Sequence, residues 1–317
     1  MNIEERRLMT KVVKLYYLEG WTQTEIAKKI NKSRPIVSKL LKQAKEKQIV
    51  EIYLKDSTVH TVQLERELEQ KYNLKEAIVI ESAHSGPELI MRKLGVVTAR
   101  YIEKKLDQIN TIGISWGTSV YAVVEAFQYQ ANKPVHLIPL IGGIGQNYIG
   151  YHTNSLLFEL AQKLNSTSSY LYAPAVVESE ELRNHIVRSK DVKEVLTKGK
   201  QVDIAIVGIG NPGIQNTMTE MGYLLEEDQQ SLLNAGAIGD INSNFFNKDG
   251  ELVDHPLNNR TVGVKLEDIK NISEVITIVR GDYKLFPLHV ALENNFITTL
   301  VIDSDTAEKL LKNTNKC

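Results

Sequence analysis

The stretch Val202-Asp203-Ile204-Ala205-Ile206-Val207-Gly208-Ile209-Gly210-Asn211-Pro212-Gly213 decides the fold of most of this chain. Four apolar residues in a row, three of them β-branched, suit a short strand covered on both faces. The glycines that follow let backbone approach a ligand where the strand ends. Outward from this stretch the same unit recurs, with apolar runs over 78–80, 111–115, 135–140, 169–177, 202–208, 237–242, 274–279 and 298–303 and helical stretches between them. That β-α-β rhythm predicts an α/β domain on a doubly wound, mostly parallel sheet. Ligands of such sheets bind beyond the carboxyl ends of the strands.

Five strand ends carry suitable chemistry. Gly113-Ile114-Ser115-Trp116-Gly117-Thr118-Ser119 leaves a strand and opens a helix, where free N–H groups and short hydroxyls suit a phosphate. Ile138-Pro139-Leu140-Ile141-Gly142-Gly143-Ile144-Gly145 and 207–213 place glycines at strand ends. Gly239-Asp240-Ile241-Asn242-Ser243-Asn244-Phe245-Phe246 offers one carboxylate and amides able to hold sugar hydroxyls. Arg280-Gly281-Asp282-Tyr283-Lys284 brings an ammonium that neutralises phosphate. Each alone is equally an ordinary turn. Five at one edge of one sheet predict a cleft for a polar or phosphorylated ligand. The 113–119 loop is neither G-x-G-x-x-G nor a Walker loop, and no metal-ligand spacing is present, so no cofactor and no metal are expected.

The chain has 317 residues, 38 Lys+Arg against 39 Asp+Glu, 42% hydrophobic content and a single cysteine, Cys317. An intramolecular disulfide is excluded, no apolar stretch reaches membrane-spanning length, and the N-terminus lacks a signal core. A cytoplasmic protein of about two domains, with no membrane partner, is the expectation. The net charge of −1 is a cancellation: residues 1–56 hold 13 basic and 7 acidic side chains, or +6, which leaves −7 for residues 57–317.

Within the basic segment, Val12, Val13, Leu15, Tyr16 and Leu18 form a helical stripe closed by Gly20. Thr22 and Glu25 stand at capping-box spacing ahead of a second helix, 23–30, with Ile26, Ala27 and Ile30 inward. After the turn Asn31-Lys32, Ser33 caps a third helix with Pro35 in its first turn and Ile36, Val37, Leu40, Leu41 and Ala44 as its inner stripe. This is the plan of a helix-turn-helix, with the third helix in the major groove. The all-α N-terminal domain, 1–56, is expected to be winged, its wing strand running over 49–54. The expected DNA-binding set is Thr22, Gln23, Lys32, Ser33, Arg34, Pro35, Ser38, Lys39 and Lys42. Arg34, Ser38 and Lys39 would face base edges, while Lys32 and Lys42 would meet phosphates. Residues 57–75 read as an amphipathic connector with Leu64, Leu68 and Tyr72 at spacing four, packing on the next domain or pairing with a second copy.

Over 22–44 the chain resembles the DNA-binding domain of the SorC family of bacterial regulators, with Asn31 where that family has a glycine and Arg34-Pro35 opening the reading helix. Gly-Ile-Ser-Trp-Gly-Thr (113–118), Pro-Leu-Ile-Gly-Gly (139–143), Val-Gly-Ile-Gly (207–210), Gly-Asp-Ile-Asn (239–242) and Leu-Val-Ile-Asp-Ser-Asp-Thr-Ala (300–307) extend the resemblance to the family's effector domain. The resemblance implies a fold similar to sugar-phosphate isomerases and CoA-transferases over 76–317, used to bind phosphorylated sugars and to oligomerise. It implies phosphate contacts at Gly113, Ser115, Gly117, Thr118, Ser119 and Lys284, and ligand-facing roles for Gly142, Gly143, Gly208, Gly210 and Asp240. Asn242, Asn244 and Phe245 stand where hydroxyl selectivity is set. Arg280-Gly281-Asp282 departs from the family's paired glycines.

The rival is an isomerase or deaminase of the same fold. Asp240 would serve as its base, but His152, His255 and His289 are scattered singles, and no nucleophile elbow or H-E-x-x-H is present. No catalytic residue is therefore assigned. The expectation is a DNA-binding regulator, a repressor of a carbohydrate-catabolic operon, acting as a dimer or homotetramer on double-stranded operator DNA. A phosphorylated sugar or polyol would tune its operator affinity.

Overall fold

A computed structural model describes residues 3–47, 49–50, 58–82, 85–130, 133–143, 149–213, 217–220, 222 and 224–312. The chain separates into two compact units, Met1–Val59 and His60–Cys317.

In the first unit, helix α1 (Ile3–Val13) runs into a π-helical turn, Lys14–Leu18, and Gly20 takes φ +72°. Helix α2 (Gln23–Lys29) begins on a complete capping box. Thr22 Oγ1 accepts from the Glu25 N–H at 3.3 Å, and Glu25 Oε2 accepts from the Thr22 N–H at 2.7 Å. Asn31 supplies the left-handed turn at φ +53°, and α3 (Arg34–Glu46) follows. Val12, Leu15, Ile26, Ala27, Val37 and Leu41 form the core. Ile36, expected inside, is 42% exposed. The stripe that packs is Val37, Leu41 and Ala44, and a neighbour one residue back is rotated about 100° away from it. Ser33 makes no side-chain cap bond. Of the expected wing strand, 49–54, residues 49 and 50 are not in a strand, and 51–54 lie outside the described residues.

The second unit starts with α4 (Val59–Tyr72) and strand β1 (Glu76–Ile80), followed by α5 (Pro87–Glu103), β2 (Thr111–Ile114), α6 (Thr118–Ala126), β3 (His136–Pro139), α7 (Thr153–Leu164) and β4 (Thr167–Ser168). Beyond these come β5 (Ile204–Val207), β6 (Ile209–Gly210), β7 (Gly239–Ile241), β8 (Asn244–Phe246), β9 (Glu274–Val279) and β10 (Thr299–Asp303). Among the described residues seven strands make one parallel sheet in the order β1-β10-β9-β5-β2-β3-β4. Ile204 and Ile206 point into the core under α5, α6 and α7, whereas Ala205 and Val207 point into the one under α4 and the helices Lys190–Gly199, Leu285–Glu293 and Ser304–Lys312. Burial on both faces is why this strand is apolar at every position.

Two expected strands differ. The run 237–242 is not in the parallel sheet; β6, β7 and β8 form a separate antiparallel sheet. Asn242 and Ser243, at φ +53° and +56°, turn the chain in a two-residue hairpin that sends β8 back along β7. The run 169–177 keeps only the two-residue β4 before it, and then only isolated bridges, Pro174 to Gly143 and Val176 to Thr261.

The β1 edge of the sheet is closed by side chains. Glu69 Oε1 accepts from the Ala77 N–H at 3.1 Å, and Glu65 Oε1 accepts from the Val79 N–H at 2.9 Å. A four-residue helical step of about 6.0 Å nearly matches a two-residue strand step of about 6.6 Å, so two α4 glutamates stand in for a neighbouring strand.

Candidate effector cleft and DNA-reading face

The carboxyl ends of β2, β5 and β9, together with the small antiparallel sheet, surround a cleft. It is lined by Ser115, Trp116, Gly117, Thr118, Ser119, Gly208, Ile209, Gly210, Asn211, Met218, Asp240, Asn242, Tyr283 and Lys284. Gly117, at φ +108°, caps α6 without a side-chain bond, and its own N–H is taken by Tyr151 O at 3.1 Å. The first-turn N–H groups of Thr118 and Ser119 have no intrahelical acceptor, and the helix dipole adds partial positive charge there. An anion fits this end of the cleft.

The other pole combines a buried carboxylate with a half-buried ammonium. Asp240, 6% exposed, accepts the Ser243 N–H at 3.2 Å and lies against Gly210, where any Cβ would overlap its Oδ1. Burial pushes its carboxyl up to about 6, opposed by the Ser243 N–H and the Lys284 ammonium. Burial likewise draws Lys284 down to about 8, with Asp240 opposing and Arg280 adding to the effect. Lys284 is partly open to the cleft by surface exposure, so it is the more available charge of the two.

Ser115 and Asn242 are the scaffold between the poles. Ser115 Oγ donates to Asn242 Oδ1 at 2.7 Å, and Asn242 Nδ2 donates to Leu140 O at 3.0 Å and Val264 O at 3.1 Å. The donors of both side chains are thus already engaged inside the protein. Trp116 Nε1 donates to Ser243 Oγ at 3.2 Å, fastening β2's end to the β7–β8 hairpin.

Of the fourteen residues expected at the ligand, nine line the cleft: Ser115, Gly117, Thr118, Ser119, Gly208, Gly210, Asp240, Asn242 and Lys284. Gly113, Gly142, Gly143, Asn244 and Phe245 do not, and the Asn244 amide instead donates to Ile241 O, Asn242 O and Val264 O. A Cβ on Gly113 would lie 2.7 Å from Leu140 Cδ2, and one on Gly142 would lie 2.5 Å from Ala173 O, so both glycines admit packing neighbours. The Gly143 N–H bonds Ala173 O at 2.8 Å. Phe245 is 1% exposed in the core with Trp116 and Ile141. Trp116, Ile209, Asn211, Met218 and Tyr283 also line the cleft, though no expectation put them there. All but Met218 sit inside the quoted motifs, but only the glycines, hydroxyls and charges there were read as ligand-facing. Asn211 Nδ2 donates to Tyr283 O at 2.7 Å, joining two walls of the cleft.

On the first unit, Thr22, Lys32, Ser33, Arg34, Pro35, Ser38, Lys39 and Lys42 are exposed and Gln23 is half-buried. They leave a basic outer face on α3 opposite its packed stripe. Ile36 is exposed on the same helix.

A family model described as "Putative sugar-binding domain" matches residues 56–312. The sorbitol operon regulator of Klebsiella pneumoniae is 32% identical over 313 residues, which is 98% of this chain and 99% of that protein. This chain belongs to the SorC family of sugar-binding transcriptional regulators. The deoxyribonucleoside regulator of Bacillus subtilis is 30% identical over 311 residues, 98% of this chain and 99% of that one. Among solved structures, full-length SorC from Klebsiella pneumoniae superposes with a TM-score of 0.77 at 31% identity, covering 98% of this chain and all of that one. A DeoR family regulator from Listeria monocytogenes gives 0.75 at 37% identity over 79% of this chain and 99% of that one. Residues 8–47 match Sigma-70, region 4, over α1, α2 and α3. A SorC-family regulator thus pairs a helix-turn-helix with a sugar-binding α/β domain, and these relatives are transcriptional regulators. Among the described residues no helix is long and apolar enough to cross a membrane.

Proposed function

We propose that this SorC-family chain represses a carbohydrate-catabolic operon in the cytoplasm, and that a phosphorylated sugar or polyol in the cleft sets its affinity for operator DNA. The observation that carries this reading is the two-pole cleft. Unsatisfied N–H groups of Thr118 and Ser119 receive the phosphate, and Lys284 supplies the compensating charge. Asp240 and Asn211 face the hydroxyls of the ligand. The chain works as a homo-oligomer, dimers pairing into a tetramer, because a helix-turn-helix reads a palindrome as a dimer. On α3, Arg34, Ser38 and Lys39 meet base edges, Lys32 and Lys42 meet phosphates, and exposed Ile36 offers an apolar contact to a thymine methyl.

Binding occurs without turnover. Asp240 near 6 and Lys284 near 8 are a pair able to move a proton, which is what favours the isomerase reading. Against it, Asp240 is the single carboxylate among the described residues lining the cleft, and no histidine joins it. The test is thermal unfolding with a panel of pentose, hexose and polyol phosphates, followed by NMR of each binding ligand after long incubation. A ligand at about 100 times its dissociation constant should add about 2.7 kcal/mol. No stabilisation by any member sinks the effector reading, and steady conversion of one replaces it with the enzyme.

A further inference from the structure

The loop that carries Lys284 is held from outside the cleft. Gly281, at φ +96°, donates its N–H to Thr306 Oγ1 at 3.0 Å. The Thr306 hydroxyl donates in turn to Asp303 Oδ2 at 2.6 Å, and the Thr306 N–H reaches Asp303 Oδ1 at 3.1 Å. Asp303 and Thr306 are each 2% exposed. One residue beyond the glycine, Asp282 receives Lys309 Nζ at 2.7 and 2.8 Å. Thr306 and Lys309 both belong to the C-terminal helix Ser304–Lys312.

That same helix grips α4. Glu308 Oε1 lies 2.9 Å from His60 Nε2, and Lys71 Nζ donates to Leu311 O at 3.2 Å. Ala307 and Leu310 share a core with Leu64 and Leu68 of α4. The N-terminal end of α4 is where the chain passes into the unit that carries the helix-turn-helix. A continuous set of contacts therefore runs from the cleft lysine to the connector.

Resting on the reading of the cleft as an effector site, we propose that the Gly281–Thr306 hydrogen bond carries occupancy of the cleft to α4, with Thr306 as the positioning residue. A phosphate that engages Lys284 repositions the short 3₁₀ turn Asp282–Lys284, and the turn pivots at Gly281. The Thr306 hydroxyl spends its proton on Asp303 and its lone pair on Gly281, so helix and loop move together or leave a partly buried N–H without an acceptor. The exposed Asp282–Lys309 pair adds alignment and little strength.

The experiment is hydrogen–deuterium exchange on the full chain, with inorganic phosphate as the probe, comparing the parent with Thr306→Val and Thr306→Ser. In the free protein, Thr306→Val should speed exchange of α4 amides about fivefold, at the low end of known couplings, while β2 and β5 keep parental rates. Thr306→Ser retains the hydroxyl and restores α4. With phosphate, the parent should slow exchange in both 281–284 and α4, and Thr306→Val in 281–284 alone. Unchanged α4 exchange in Thr306→Val overturns the link, as does a uniform rise across the sheet, which would make Thr306 a core residue only. A parent that phosphate protects nowhere overturns the effector reading and the occupancy step with it, and the free-protein comparison still decides the link between loop and helix.

Discussion

The carboxylate of Asp240 occupies the space that a side chain on Gly210 would fill. Gly210→Ala should therefore displace Asp240 or spread β6 from β7, at a cost of about 1–3 kcal/mol in stability. Ligand affinity should drop at least about tenfold, equivalent to 1.4 kcal/mol. Urea unfolding and ligand titration of the same variant check both halves.

Asp240→Asn should stabilise the protein while weakening ligand binding. The carboxyl titrates at an ordinary 3.8 when free and near 6 when folded, so the folded state holds its proton more tightly. Above pH 6 the buried charge works against folding, and below about 4 that penalty is gone. Asparagine keeps an acceptor for the Ser243 N–H and carries no charge. Lys284 then loses its counter-charge, which trims the benefit to about 1–2 kcal/mol at pH 7.5. Unfolding free energies at pH 7.5 and pH 4 should show the gain at the first and none at the second.

Affinity for a phosphorylated ligand should fall as pH rises through about 8, where Lys284 loses its ammonium proton. Stability moves in the opposite sense. The folded state gives up this proton before the unfolded chain does, at an ordinary 10.5, so the lysine's contribution to folding improves between pH 8 and 10. Lys284→Arg stays charged and should flatten the binding profile. Lys284→Met should bind weakly at every pH. Calorimetric titration with inorganic phosphate at pH 7 and 9 separates the three proteins.

On the DNA side, Lys39→Ala should weaken operator binding and change affinity at that base position, and Lys42→Ala should lower affinity for all sequences and make the salt slope shallower by about 1. Ile36→Ser should leave the slope alone and relax selectivity at one thymine-bearing position, by about 1–3 kcal/mol at most. Anisotropy titrations at several salt concentrations distinguish a phosphate contact from a base contact. An Ile36→Ser protein with parental selectivity means that the exposed side chain does not reach the groove.

What the sequence made legible was local or repetitive. The Thr22–Glu25 capping box needs only four residues to declare itself, and the doubly wound sheet announces itself through repeated apolar runs whose burial on both faces removes the polar alternation. The strand-end rule then gathered residues from four distant motifs into one cleft. What stayed hidden depended on partners far away in the chain. A glycine that admits a ligand and one that admits the backbone of Ala173 or the side chain of Leu140 look the same in sequence, which is why Gly142 and Gly113 were expected in the cleft. The β7–β8 hairpin turns on Asn242-Ser243 without a glycine, so 237–242 was read as one more parallel strand. Phe245 enters the core beside Trp116, a placement fixed only once the register of that hairpin is known. Ile36 was placed inside because the helical period alone does not say how wide the covered stripe is.

The two glutamates of α4 that cover the β1 edge also set where this protein can be divided. A sensor body beginning at Glu76 would present bare strand amides at Ala77 and Val79, an invitation to edge-to-edge pairing. Recombination that trades DNA-reading heads between regulators must therefore join them ahead of Val59, leaving the connector with the body. The hem of the sheet travels with the cloth, and new operator specificities can be grafted on without unravelling the sensor.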